Sequence, residues 1–121
     1  MYLSGGEWGG NSKGVFATDP YRDPSIASTP RMLTSMGQWS TENAVAIGKD
    51  AYPDKTVVFI GDDNSNDEVP SGQLGMYVGN VGDLNGGKLY GLKVTSPGIT
   101  YEMDMEEGTA CLLYTSPSPR D

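Results

Sequence analysis

The chain has 121 residues, 17 of them glycine and 8 proline, with 36% hydrophobic residues, which suits one small domain and leaves little for a second module. Sixteen acids against eight bases give a net charge of −8, which argues against nucleic-acid binding through a basic patch. There is no histidine, so any acid–base chemistry falls to Asp, Glu, Lys or Tyr.

Taken in order, Tyr2 and Leu3 suit the end of a strand. Ser4 to Asn11 (SGGEWGGN) reads as a glycine-dense loop carrying Glu7 and Trp8. Its spacing matches neither a P-loop nor a dinucleotide fingerprint, so it is not a phosphate cradle. GVFAT at 14–18 predicts a short strand. Residues 19–30 hold Pro20, Pro24 and Pro30, which rule out a regular helix. RMLTSMGQW at 31–39 is ambiguous: Met32, Leu33 and Met36 fit one helical turn, whereas Gly37 and the β-rich surroundings favour a loop or short strand.

Residues 43–94 organise the rest. AVAI at 44–47 is a short apolar run, followed by a turn centred on Pro53-Asp54. TVVFI at 56–60 is the strongest strand, and its continuity predicts burial on both faces. An acidic loop follows (GDDNSNDE, 61–68), then a turn at 69–72. The next strand, 74–78, places Met76 and Val78 on one face and Tyr77 on the other. A Gly/Asn/Asp turn over 80–87 leads to KLYGLKV, and ITYEMDM at 99–105 alternates like a half-buried strand. The sum is an all-β antiparallel meander whose four-stranded unit matches one blade of a β-propeller-like fold, with flanking strands. A single blade leaves apolar faces for neighbours to cover.

The last eleven residues, CLLYTSPSPRD, match the translation of a transposase-type sequencing adapter. Residues 111–121 are therefore expected to be an artefactual, disordered tail, and residues 1–110 a partial domain of a longer protein. The sole cysteine lies in that tail, so cysteine usage says nothing of redox compartment. The net charge is the same without the tail, because Arg120 and Asp121 cancel. No basic region followed by an apolar run marks a signal peptide at Met1, and no run approaches the roughly 18 apolar residues of a membrane span.

The sharpest chemical feature is the acidic loop. Asp62, Asp63, Asn64, Asn66, Asp67 and Glu68 offer hard oxygen donors of the kind that Ca2+ or Mg2+ takes. Counted from Asp62, an EF-hand would need glycine where Asp67 stands and glutamate where Gln73 stands, so any site is of an irregular, loop-built kind. The plainer reading is a solvated turn whose Asp and Asn bond their own backbone. Glu42, before a strand, and Glu7, in the glycine loop, would join Asp62 and Asp63 in a metal cluster if those strand ends converged. As exposed acids they would do nothing of the kind. Trp8, Trp39, Tyr77 and Tyr90 could form a stacking platform, but packing is the simpler role for aromatics that sit in or beside strands. Nucleophilic catalysis has no support, since there is neither a GxSxG motif nor a Ser–His pair. Glu102, Asp104, Glu106 and Glu107 read as a polar strand face and a following turn.

The order YLSGGEWGG, LTSMGQWSTENAVA, KTVVFIGDD, GQLGMYVGN and NGGKLYGLKV resembles secreted bacterial proteins related to PhoX-type alkaline phosphatases. The resemblance spans most of residues 2–94. It implies a β-propeller-like fold and export to the periplasm or beyond. The phosphatases of that group are calcium-dependent phosphomonoesterases with iron and calcium at the active site. By resemblance, Glu42 stands where they present a metal-binding glutamate, and Asp62 and Asp63 match their strand-end acidic pair. Where they show a cysteine beside paired glutamates, this chain has Gly5, Gly6 and Glu7. That departure argues against an iron cluster and leaves calcium, with Glu7, Glu42, Asp62 and Asp63 as metal ligands and no catalytic residue assigned. Three readings stay open: a calcium-stabilised exported propeller without proven catalysis, part of a metal-dependent phosphatase acting on phosphorylated small molecules, or a metal-free acidic β-domain. None implies a nucleic-acid or membrane partner. The first two imply further blades.

Overall fold

The computed structural model describes residues 1–26, 31–64, 72–100 and 104–115, of which 111–115 by backbone alone. They form two antiparallel sheets, and no α-helix occurs among them. The first sheet has the order β1 (Tyr2–Gly6), β2 (Gly14–Thr18), β3 (Arg31–Met32). The second runs in chain order through β4 (Thr41–Ala46), β5 (Lys55–Asp62), β6 (Leu74–Asn80), β7 (Lys88–Val94) and β8 (Cys111–Thr115). Neither sheet closes on itself.

The meander follows directly from the apolar runs. β5 pairs β6 in unbroken register from Lys55↔Asn80 to Gly61↔Leu74, and β7 covers Lys88 to Val94 as expected. Alternation then sorts the side chains. Val58, Ile60 and Tyr77 face inward and are fully buried, while Phe59, Met76 and Val78 lie half-buried on the opposite face. Against the inner face the first sheet lays Val15 and Ala17, and the segment after β3 adds Leu33 and Met36. Leu3, Trp39, Ala44, Leu84 and Leu89 seal the edges of this core.

The 31–39 segment resolves into the two-residue β3 and a single 3-10 turn, Thr34–Met36, rather than a longer element. Gly37, at φ +84°, ends that turn in the left-handed region and folds Trp39 back over the core edge. Ser35 Oγ donates to the Leu84 carbonyl at 3.0 Å, fastening this segment to the loop between β6 and β7. That loop is in turn closed by Tyr77, whose hydroxyl donates to the Asp83 carbonyl and accepts the Gly87 N–H, both at 2.9 Å.

Two expectations are corrected. The glycine loop begins later than its composition implies, because Gly5 and Gly6 belong to β1 and pair with Val15 and Gly14. The fifth strand of the second sheet is Cys111–Thr115, paired from Tyr90↔Thr115 to Val94↔Cys111, so this part of the tail is ordered backbone and not disordered. Its five residues are uncharged, aliphatic or β-favouring, and β7 offers them a free edge. Of the strand expected at 99–105, Ile99 and Thr100 lie outside any strand, and 101–103 fall outside the described residues.

Candidate metal site at the strand ends

Ser40 is the hub of the region where the sequence places its acids. Its Oγ–H donates to the Glu7 carbonyl at 2.8 Å, and its own carbonyl accepts the Asp63 N–H at 3.0 Å. One residue thus ties the exit of β1 to the exit of β5 at the entry of β4. Thr41, next in line, is fully buried and donates its Oγ1–H to the Trp39 carbonyl at 3.0 Å. No buried side-chain nitrogen or oxygen among the described residues lacks a hydrogen-bond partner.

Glu42 is a bulged residue. Thr41 pairs with Asp62 and Asn43 with Gly61, so Glu42 is the extra residue opposite that step. The residue is exposed. β1 crosses here at backbone contact: a Cβ on Gly5 would overlap the Thr41 carbonyl oxygen and lie 2.7 Å from the Glu42 carbonyl. Only a residue without a side chain allows the two strands to approach this closely.

The backbones of Glu7, Glu42, Asp62 and Asp63 therefore meet at one corner of the molecule. Their carboxylates are a separate matter. Glu7 Oε2 accepts the indole N–H of the adjacent Trp8 at 3.0 Å. Asp62 and Asp63 are half-buried at the end of β5. Among the described residues, no three carboxylate, thiol or imidazole groups come together as a metal-binding set. Asn66, Asp67 and Glu68 lie outside the described residues. The corner offers hard oxygen donors, the chemistry calcium takes, and a full sphere of six to eight oxygens would draw on carbonyls and water besides these carboxylates.

Two acids elsewhere show the plainer fate of loop aspartates. Asp83 Oδ1 accepts the N–H groups of Asn85 and Gly86 at 2.8 and 3.0 Å, and these bonds hold its carboxyl below the ordinary value of 3.8. Asp23 is lowered likewise, by the hydroxyl and the N–H of Ser25. Both are turn-makers in the sense that the sequence suggests for Asp-rich loops.

The four aromatics divide. Tyr77 is core. Trp39 is half-buried, with its Nε1–H donated to the Met36 carbonyl at 2.8 Å, so it packs as expected but keeps part of its surface open. Tyr90 lies half-buried on β7, and Trp8 is exposed. Sequence pattern does not reveal the open space beside Trp39, lined by Gly75, Leu89 and Gly91. Its only signal is a glycine in each of two successive strands, which gains meaning once the register sets Gly75 opposite Gly91.

No helix of the described residues is long and apolar enough to cross a membrane, which says nothing of β-barrels. Comparison with protein-family models, curated proteins and solved structures finds no match to this chain.

Proposed function

We propose that this chain is part of an exported, acidic, β-propeller-like protein of the PhoX-related group, in which the corner around Ser40 holds calcium for stability. The observation that carries the reading is the junction itself: Ser40 binds the backbones of Glu7 and Asp63 while β4 starts with a bulged Glu42. Acids far apart in sequence are thereby set on one rim. The described carboxylates alone do not complete a calcium sphere, so the remaining oxygens come from backbone carbonyls and water. By the resemblance, Gly5, Gly6 and Glu7 stand where the phosphatases carry a cysteine beside paired glutamates, which argues against an iron cluster.

The propeller-like reading finds its support in the second sheet. Val45, Phe59, Met76 and Tyr90 align in one cross-strand row on the face turned away from the core. Val45 is 61% exposed. A row of this kind is the surface that a neighbouring blade covers.

The test is thermal unfolding in calcium and in chelator, with p-nitrophenyl phosphate hydrolysis followed in the same samples. Saturating calcium at about 100 times its Kd adds about 2.7 kcal/mol, which raises Tm by on the order of 10 °C. The gain is absent in the Asp62→Asn/Asp63→Asn variant. Coincident melting curves leave a metal-free acidic domain in place of this reading, and calcium-dependent hydrolysis moves it to a phosphatase.

A further inference from the structure

Among the described residues, the inner face of the second sheet is not covered along its whole length. Beyond Leu89 it carries the cross-strand pair Gly75↔Gly91, two positions with no side chain, on adjacent strands. Gly91 floors a cavity of about 430 Å3 beside Trp39, whose ring covers Gly75, and Gln38, Gln73, Leu89 and Tyr90 also line it. The size lies within the roughly 300–1,000 Å3 range of small-molecule sites.

Trp39 forms a fixed wall. Its indole N–H is committed to the Met36 carbonyl at 2.8 Å, and its six-membered ring overhangs Gly75, with Cζ2 3.0 Å from where a Cβ would stand. The ring therefore offers the slot an apolar, electron-rich surface and no donor. Gln73 supplies one. Its Oε1 accepts the Leu74 N–H at 3.0 Å, while its Nε2 lies 3.5 Å from the Cβ position of Gly91, over the floor. Gln38, exposed, adds a second carboxamide at the lining. Among the described residues, no Asp, Glu, Lys or Arg lines the slot, although the chain carries 24 charged residues of these types.

We propose that this slot binds a neutral pyranose ring. An indole wall suits the C–H face of a sugar, the bare backbone at Gly91 leaves room for a ring beside it, and carboxamides both donate to and accept from hydroxyls. An uncharged lining on a molecule of net charge −8 disfavours phosphate and carboxylate ligands. The site shares no side chain with the acidic corner, so it stands or falls apart from the calcium reading.

The experiment uses the full chain with Trp8→Phe, which leaves Trp39 as its one tryptophan. Trp39 emission is titrated with methyl β-D-glucopyranoside, whose all-equatorial ring presents C–H bonds on both faces. Glucose 6-phosphate and cyclohexanol serve as the charged and hydroxyl-poor comparisons. The expected result is a saturable change in emission with a Kd on the order of 1 mM, and weaker binding of both comparison ligands. Gly91→Ala fills the floor. Its new Cβ meets Gln73 Nε2 and Cδ at 3.5 and 3.7 Å, ordinary contact distances, so the fold is kept and binding falls at least tenfold. Should that variant melt early, Gln38→Ala with Gln73→Ala provides the same test from the slot's polar side, again with at least tenfold loss. A flat titration overturns the proposal, as does undiminished binding in the slot variants that retain the parent Tm. Cyclohexanol binding as tightly as the glucoside also overturns it, by showing a slot that reads apolar shape alone.

Discussion

Tyr77→Phe removes one oxygen atom and isolates what it does. Tyr77 is fully buried, and its hydroxyl is shared by two backbone groups of the following loop, the Asp83 carbonyl and the Gly87 N–H, each at 2.9 Å. The phenylalanine ring fills the same space, so no cavity of consequence forms. What is lost is the bridge. A hydrogen bond contributes about 1 kcal/mol net, and a buried group left without a partner costs about 1–3 kcal/mol. Asp83 and Gly87 are half-buried, so water recovers part of the loss. The expected cost is about 2–3 kcal/mol, or a fall in Tm of roughly 10 °C for a chain of this size. Circular dichroism melts of the variant against the parent provide the measurement. Tyr52→Phe, at a residue 54% exposed, is the control and shifts stability by less than about 0.5 kcal/mol. If Tyr77→Phe melts with the parent, or no lower than the Tyr52 control, the loop between β6 and β7 is not held by this hydroxyl and the reasoning fails.

Three more outcomes follow from the same geometry. Gly5→Ala drives a methyl group into the Thr41 carbonyl, backbone against backbone, and costs at least about 2–3 kcal/mol in urea denaturation; a neutral result would mean that β1 and β4 are not in contact. Ile60→Ala empties a fully buried site and lowers stability by about 2–5 kcal/mol in the same assay, against less than about 1 kcal/mol for Val45→Ala on the open face. The Asp83 carboxyl titrates lower in the folded chain than unfolded, so its contribution is present above the ordinary value of 3.8 and is lost as pH falls through the lower folded value. Asp83→Ala is accordingly expected to destabilise at pH 7 and to converge with the parent below that folded value. A gap that persists at acid pH would assign the effect to something other than the carboxylate.

What could be read in the sequence was whatever rests on local pattern. β2, β5, β6 and β7 are runs of β-branched and aromatic residues between Gly/Asn/Asp turns, and the structure places them within a residue or two of where those runs lie. Tyr77 faces away from Met76 and Val78 because alternation alone requires it. β1 was legible only at its start. Gly5 and Gly6 have poor strand propensity, and their use in a strand answers to close neighbours invisible in a local window: β4 lies against Gly5, and the Ser12 carbonyl and the Phe16 ring lie against Gly6. Leu33 and Met36 are fully buried in a segment whose period fits neither helix nor strand, since a two-residue strand and one 3-10 turn leave no period to read. The candidate site divides in the same way. Asp62 and Asp63 announce themselves as a cluster, but their meeting with Glu7 and Glu42 depends on Ser40, whose role is set by two hydrogen bonds across 33 and 23 positions of chain. Nor could spacing show that four acids meeting by backbone do not bring three carboxylates together among the described residues.

The most direct measurement on the acidic corner is terbium luminescence, because terbium takes the same hard oxygen ligands as calcium and emits when excited through a nearby indole. Trp8 stands beside Glu7, with its N–H on that carboxylate at 3.0 Å. A shared cation at this corner gives indole-sensitised emission that calcium competes away and that Trp8→Phe and Asp62→Asn/Asp63→Asn each abolish. Emission that survives both variants, or that calcium does not displace, would contradict a shared cation at Ser40's corner.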